Sequence, residues 1–108
     1  MKFEPKHGDI VKEDERYVVR DFPFGHNLTI SSTRLYPSQE TSGHSHEGQE
    51  EAYFFVSGSG AMMLDDEVFQ VKDGDVVPIE DGVFHRVFNT SDVEDLYFVC
   101  VFNGKRSS

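Results

Sequence analysis

The sequence contains little cysteine and no long apolar run, and each shortage excludes a class of protein. Cys100 is the only cysteine among the 108 residues, which excludes an internal disulfide framework and a thiolate metal cluster. No apolar run approaches the roughly 18 residues of a membrane-spanning helix, and no charged stretch followed by an apolar one opens the sequence. We therefore expect a cytoplasmic protein with neither a membrane segment nor a secretory signal.

Cations are also scarce, and they are scarcest in the middle of the chain. Ten Lys and Arg stand against twenty Asp and Glu, giving a formal net charge of −10. Nucleic acids and anionic membranes need a basic face, so the charge argues against both as partners. Between positions 21 and 104 the cations are Arg34, Lys72 and Arg86. An anionic substrate would have to be bound by one of these, by backbone N–H groups or by a metal.

Helical periodicity is missing as well, since no 3.6-residue apolar repeat lasts for three turns. Instead, short apolar stretches alternate with turns rich in Gly, Asp and Pro, which is typical of antiparallel strands in a sandwich or barrel. The first strand begins at Tyr17 and is expected at a sheet edge because it ends at Pro23 and Gly25. Further strands are predicted at 28–36, 52–56, 61–64, 68–71 and 96–102. Residues 1–15 are assigned to a polar arm, 16–104 to the β-domain and 105–108 to a polar tail.

The stretch from Gly43 to Gly60 carries the strongest functional signal. His44 and His46 are two positions apart, so on an extended chain their side chains point the same way and can bind one ion. A third histidine, His85, follows about forty residues later in a second apolar stretch bounded by glycine. We interpret the three histidines as parts of one site.

Spacing selects the carboxylate of this site. If Tyr53 and Phe55 face inward on their strand, Glu51 shares that face and Glu50 does not. Three imidazoles and one carboxylate suit one divalent transition metal, such as Mn, Fe, Co, Ni or Zn, with one or two positions open for water or substrate. Open positions indicate possible chemistry.

The combined pattern resembles the two motifs of the cupin superfamily, in particular a small single-domain (type 2) cupin. The resemblance spans roughly 28–102 and rests on His44, His46, Glu51, Gly58, Gly74, Gly82, His85 and Asn89. It implies an all-β antiparallel jelly roll, or double-stranded β-helix, with little or no helix. It also implies that His44, His46, Glu51 and His85 ligate a metal inside the barrel.

A narrower similarity links residues 41–64 and 85–89 to the cupin-type phosphoglucose isomerases. That resemblance implies isomerisation or epimerisation of a small polar metabolite such as a sugar or sugar phosphate. Glu51 or Tyr53 would move the proton, although an inward tyrosine is as often a core residue.

Three further residues are candidates for substrate binding, each with a structural alternative. Arg34 would clamp an anion if it faces the cavity and would be a surface group if it faces out. Gln49 either supports the metal ligands or belongs to a plain loop. Asn89 either binds substrate or stabilises the end of a strand.

Two other functions fit the same ligand set: an Fe- or Ni-dependent dioxygenase or lyase, and a metabolite-binding sensor without catalysis. In each case the partner is a small molecule. Small cupins commonly pair through edge strands, so we also expect a homodimer with residues 1–24 at its interface.

Overall fold

The computed structural model describes residues 2–106, and its regular secondary structure is almost entirely β-strand. A short 3-10 helix, Pro5–His7, precedes nine strands: β1 (Asp9–Glu13), β2 (Tyr17–Phe24), β3 (Leu28–Leu35), β4 (Glu51–Ser57), β5 (Ser59–Leu64), β6 (Glu67–Lys72), β7 (Val76–Ile79), β8 (His85–Asn89) and β9 (Leu96–Asn103). The all-β prediction is confirmed. Within residues 2–106, no helix is long and apolar enough to cross a membrane.

The strands form two antiparallel sheets in a jelly-roll arrangement. The larger sheet has the order β1-β2-β3-β9-β4-β7, and the smaller has the order β6-β5-β8. Both sheets contribute side chains to a single core. Its most deeply buried members include Leu35, Phe55 and Leu96 from the larger sheet and Met62 and Val87 from the smaller one.

Strand β9 shows how the sequence pattern produces this core. Its residues alternate strictly between buried and half-buried positions, so Leu96, Phe98, Cys100 and Phe102 all point inward. This period of two is what an antiparallel strand with one face on the core requires. Cys100 is therefore a buried residue of the inner face, as predicted.

The edge of the larger sheet differs from the prediction. The strand that begins at Tyr17 is not the edge strand, because β1 pairs with its outer side as far as Asp21. Pro23 lies beyond the end of that pairing, so its missing N–H leaves no β1 carbonyl without a partner. Residues 9–13, within the polar arm, thus form an exposed edge strand. A homodimer through residues 1–24 stays a prediction.

Gly60 lies at the closest approach between β5 and β8. A Cβ atom at this position would overlap the carbonyl oxygen of Phe88 and lie 2.8 Å from Cδ2 of Leu96. Since Phe88 is paired with β5, its carbonyl cannot withdraw without disturbing the ladder. We expect Gly60→Ala to lower the free energy of unfolding by about 3 kcal/mol, measured by urea denaturation.

Gly74→Ala is the matched control, because a Cβ there meets nothing within 4 Å although φ is +90°. This variant should lose only about 1 kcal/mol, from backbone strain alone. Equal losses in the two variants would show that the approach of β5 to β8 is not as tight as described.

Candidate metal centre

His44 and His85 are brought together by the backbone. The loop between β3 and β4 forms an isolated antiparallel bridge to β8, in which His44 N–H donates to His85 O at 3.2 Å and His85 N–H donates to His44 O at 3.0 Å. Directly opposed residues of an antiparallel pair project their side chains to the same face. The two imidazole rings accordingly lie 4.5 Å apart between centroids.

His46 lies beside this pair on the same loop. Gly82 N–H donates to the His46 carbonyl at 3.0 Å, and Gly48 N–H donates to the Asp81 carboxylate at 2.8 Å, so the loop is fixed to the turn before β8. The His46 ring is 4.7 Å from that of His44 and 6.2 Å from that of His85. The segment is a bridged loop where the prediction assumed an extended chain, yet the two imidazoles of the H-x-H motif are neighbours.

Glu51 completes the group from the first position of β4. Ligand atoms of His44, Glu51 and His85 all lie within 4.8 Å of one another. Glu50, the alternative carboxylate, is exposed, and its N–H donates to the Asn103 side chain at 2.7 Å. The structure thus brings together three of the four predicted ligands, with His46 adjacent.

The two ring nitrogens of His85 have different surroundings. On one side of the ring, Nδ1 lies 3.1 Å from the Val83 carbonyl, which can only accept, so Nδ1 carries the proton. Nε2 is buried and has no hydrogen-bond partner within residues 2–106. Its lone pair lies 3.4 Å from Glu51 Oε1, which is also an acceptor when ionised. Two acceptors at this distance need a cation or a proton between them.

The protonation states leave both imidazoles free to bind a cation. Burial, reinforced by the neighbouring His85 and His46, lowers the pKa of His44 to about 4, and burial also lowers the pKa of His85. Both imidazoles are therefore neutral at pH 7, and the contact between His85 and Glu51 is not an ion pair. Burial raises the pKa of Glu51. Neutral imidazoles beside a carboxylate whose ionised form lacks a counter-charge fit a divalent metal.

The group opens into a cavity of about 420 Å³. Tyr53 lines it, with its ring 5.8 Å from that of His85 and stacked at 5.4 Å on Phe98. The side chain of Tyr53 is buried, and burial raises the pKa of its hydroxyl well above the usual value. Gln49 also lines the cavity and donates to the Lys105 carbonyl at 3.4 Å.

Two predicted substrate-binding residues lie elsewhere. Arg34 is exposed, pairs with Asp95 at 3.3 Å and stacks on the Tyr97 ring, so it takes the surface alternative. Asn89 is buried at the end of β8, where its amide donates to the carbonyls of Leu35 and Glu94 and accepts from Ser91 N–H, so it takes the structural alternative. Both are removed from the substrate-binding set, because their side chains are already bound away from the cavity.

Two cations that the sequence did not single out line the cavity instead: Lys12 on β1 and Arg106 after β9. Arg106 had been assigned to the polar tail. One signal could have found it. Asp21 follows Tyr17 and Val19 at inward positions of β2, and a buried carboxylate requires a cationic or hydrogen-bonding partner.

Comparison with known proteins agrees with this fold. The family described as "Cupin domain" matches residues 32–102. A stretch of 59 residues is 36% identical to "Uncharacterized protein MJ1618" of Methanocaldococcus jannaschii, covering 55% of this chain and 47% of that protein. The chain therefore spans about half the length of this curated relative.

Solved structures share the fold at low sequence identity. KdgF from Halomonas sp. superposes with a TM-score of 0.83 at 15% identity, over 97% of this chain and 94% of that one. A Thermotoga maritima protein described as a "predicted oxalate decarboxylase" gives 0.79 at 20% identity, over 97% and 100%. A double-stranded beta-helix protein of Klebsiella pneumoniae gives 0.83 at 18% identity, over 99% and 92%. None of these descriptions names a phosphoglucose isomerase, and that resemblance stays a prediction.

Proposed function

We propose, from the premise that this chain belongs to the cupin domain family, that it is a metal-binding enzyme that isomerises or epimerises a small polar metabolite such as a sugar. One observation carries the proposal: the buried Nε2 of His85 has no partner within residues 2–106 and faces Glu51 at the wall of an open cavity. A cavity of this volume accommodates a small metabolite.

His44, His46, Glu51 and His85 would hold one divalent transition metal, whose identity among Mn, Fe, Co, Ni and Zn is open. When bound, it supplies Lewis-acid polarisation of adjacent hydroxyl and carbonyl oxygens of the substrate. The hydrogen bond from His85 Nδ1 to the Val83 carbonyl orients the imidazole so that Nε2 points to the centre.

Tyr53 and Glu51 have different parts in this proposal. Because burial raises its pKa, Tyr53 keeps its proton at neutral pH and serves as a hydrogen-bond donor to a substrate oxygen. Glu51 takes the proton from the hydroxyl-bearing carbon beside the substrate carbonyl and returns it to the carbonyl carbon, while the hydroxyl proton moves to the carbonyl oxygen.

The proposal is tested with protein reconstituted separately with each of the five metals and incubated with aldoses, ketoses and their acids in D2O. Proton NMR should show conversion or the loss of a C–H signal next to the carbonyl. If no substrate converts or exchanges with any metal, the proposal fails. Oxygen consumption that requires iron would favour a dioxygenase, and binding without turnover would favour a sensor.

Tyr53→Phe separates catalysis from metal binding. Removal of the hydroxyl should lower kcat for the substrate found above by about 100-fold, because a positioned proton donor contributes an effect of that order. The thermal stabilisation by metal should be unchanged. Tyr97→Phe is the matched control, since Tyr97 stacks with Arg34 outside the cavity and should keep full activity. Full activity in Tyr53→Phe would exclude this role for the hydroxyl.

A further inference from the structure

Arg106 is fixed in the wall of the cavity that contains the metal centre. Its Nε donates to Asp21 Oδ2 at 2.6 Å, and its Nη2 donates to Asp21 Oδ1 at 3.1 Å and to Ser31 Oγ at 3.1 Å. The guanidinium also lies over the Phe102 ring, 5.4 Å from the centroid. The side chain of Asp21 is 6% exposed and that of Arg106 25% exposed. A cation held on three sides is in place before any ligand arrives.

Only part of the Arg106 guanidinium is hydrogen-bonded. Nε and Nη2 donate to Asp21 and Ser31, whereas Nη1 has no hydrogen-bond partner within residues 2–106. A guanidinium carries five N–H donors, so the two on Nη1 remain for a ligand. Hydrogen bonds from a charged donor to a carboxylate are among the strongest available to a protein.

The charges around the cavity are balanced, although the net charge of the whole chain is −10. Lys12, Arg106 and Glu51 line the cavity, and Asp21 pairs with Arg106. The two cations and two carboxylates make the cavity locally neutral, in contrast to the acidic chain. A cavity with this charge balance should bind a single carboxylate through directed hydrogen bonds better than it binds a phosphate dianion, because a dianion needs a surplus of cations.

Register places Arg106 at a useful distance from the reacting groups. Asp21 pairs with Ser31, Ser31 with Cys100, and Cys100 with Tyr53, so these four residues form one row across the sheet. With neighbouring strands about 4.8 Å apart, Ser31 and Tyr53 are roughly 10 Å apart along the sheet. The side chains that extend from the two ends of this row reduce the distance between them to about the length of a small metabolite.

From this geometry we infer that the substrate is a small hydroxy or keto acid whose carboxylate binds Arg106 while its other oxygens face Tyr53 and the metal centre. The inference rests on the proposed function and names its substrate class. Arg106 is the specificity-determining residue, and Asp21 is a positioning residue that acts through it.

Binding is measured by isothermal titration calorimetry with two matched pairs: gluconate against glucitol, and glycerate against glycerol. Each pair differs only in a carboxylate replacing a CH2OH group. The wild-type protein, both zinc-loaded and metal-stripped, should bind one acid or both at least 10-fold more tightly than the matching alcohol. Arg106→Gln should reduce that ratio to about 1, and Lys105→Gln, which removes the adjacent exposed cation, should leave it unchanged.

Equal affinities within both pairs in the wild-type protein would overturn the inference. So would a preference for acids that survives Arg106→Gln, since the metal or Lys12 would then be responsible and Arg106 would only anchor the tail. Should Arg106→Gln not fold, Arg106→Lys decides, because it keeps the charge that pairs with Asp21 but removes the directed donors on Nη1. The acid preference should fall in Arg106→Lys, and an unchanged ratio would contradict the inference.

The two hypotheses fail in different ways. These binding ratios need no turnover, so an inactive protein that prefers acids refutes the proposed reaction alone. An active isomerase that binds acids and alcohols equally refutes the role of Arg106 alone.

Discussion

Replacing His85 with alanine should abolish the stabilisation that divalent transition metals give the wild-type protein. A ligand at about 100 times its dissociation constant stabilises the folded state by about 2.7 kcal/mol. In a domain of this size, that corresponds to a rise in Tm of roughly 10–20 °C. His85→Ala removes the one buried nitrogen in residues 2–106 that has no hydrogen-bond partner, and with it the donor that faces both His44 and Glu51.

Differential scanning fluorimetry with Mn, Fe, Co, Ni and Zn, each with and without EDTA, measures the effect. His26→Ala is the matched control, because His26 is exposed in the turn between β2 and β3 and should leave the metal-dependent rise intact. The metal-free Tm of each variant is recorded as well, so that loss of packing is not mistaken for loss of metal. A His85→Ala protein that is stabilised as much as the wild type would exclude this centre.

Asn89→Ala should cause a loss of stability that is large for the truncation of a polar side chain. The amide nitrogen of Asn89 donates to the carbonyls of Leu35, Tyr36 and Glu94 at 3.0, 3.1 and 2.8 Å, and its oxygen accepts from Ser91 N–H at 3.0 Å. One side chain thus joins the end of β3, the end of β8 and the turn before β9. Alanine would leave these buried backbone groups without a partner, at a cost of about 3 kcal/mol.

Urea denaturation followed by circular dichroism gives this free energy directly. Asn27→Ala is the control, since Asn27 is exposed in a turn and its removal should change the free energy of unfolding by no more than about 0.5 kcal/mol. A loss of less than about 1 kcal/mol in Asn89→Ala would show that water replaces the amide and that the network is not buried as described.

A strand could be predicted from the sequence where one of its faces is buried and the other is exposed to solvent. The alternation of β9, from Leu96 to Phe102, appears in the sequence because the core selects every second residue. Strand β1 was not predictable, because all five of its residues are exposed and its composition matches that of a polar loop. It is a strand because β2 offers free backbone groups on that side, a fact that depends on the folded sheet.

The candidate site likewise contains residues that could be predicted from the sequence and residues that could not. His44, Glu51 and His85 were identifiable because metal ligands need particular residue types at particular spacings, and inward alternation separates Glu51 from Glu50. Arg106 lacks such a pattern. Its position depends on two contacts between distant parts of the chain: the hydrogen bond from Gly104 N–H to Asn27 O at 2.7 Å and the pairing with Asp21. Neither contact follows from local sequence.

The walls of the cavity come from separate parts of the chain. The histidines and Glu51 lie in its central part, whereas Lys12 lies on β1 and Arg106 follows β9. The two cationic positions therefore lie outside the strands that build most of the core, although a substitution of Arg106 also has to be matched at Asp21, whose buried carboxylate it neutralises. During evolutionary divergence, substitutions in these flanking segments can change the ligand preference while the histidines and Glu51 are retained. Two descendants of one ancestor could therefore share the same metal centre and bind different molecules.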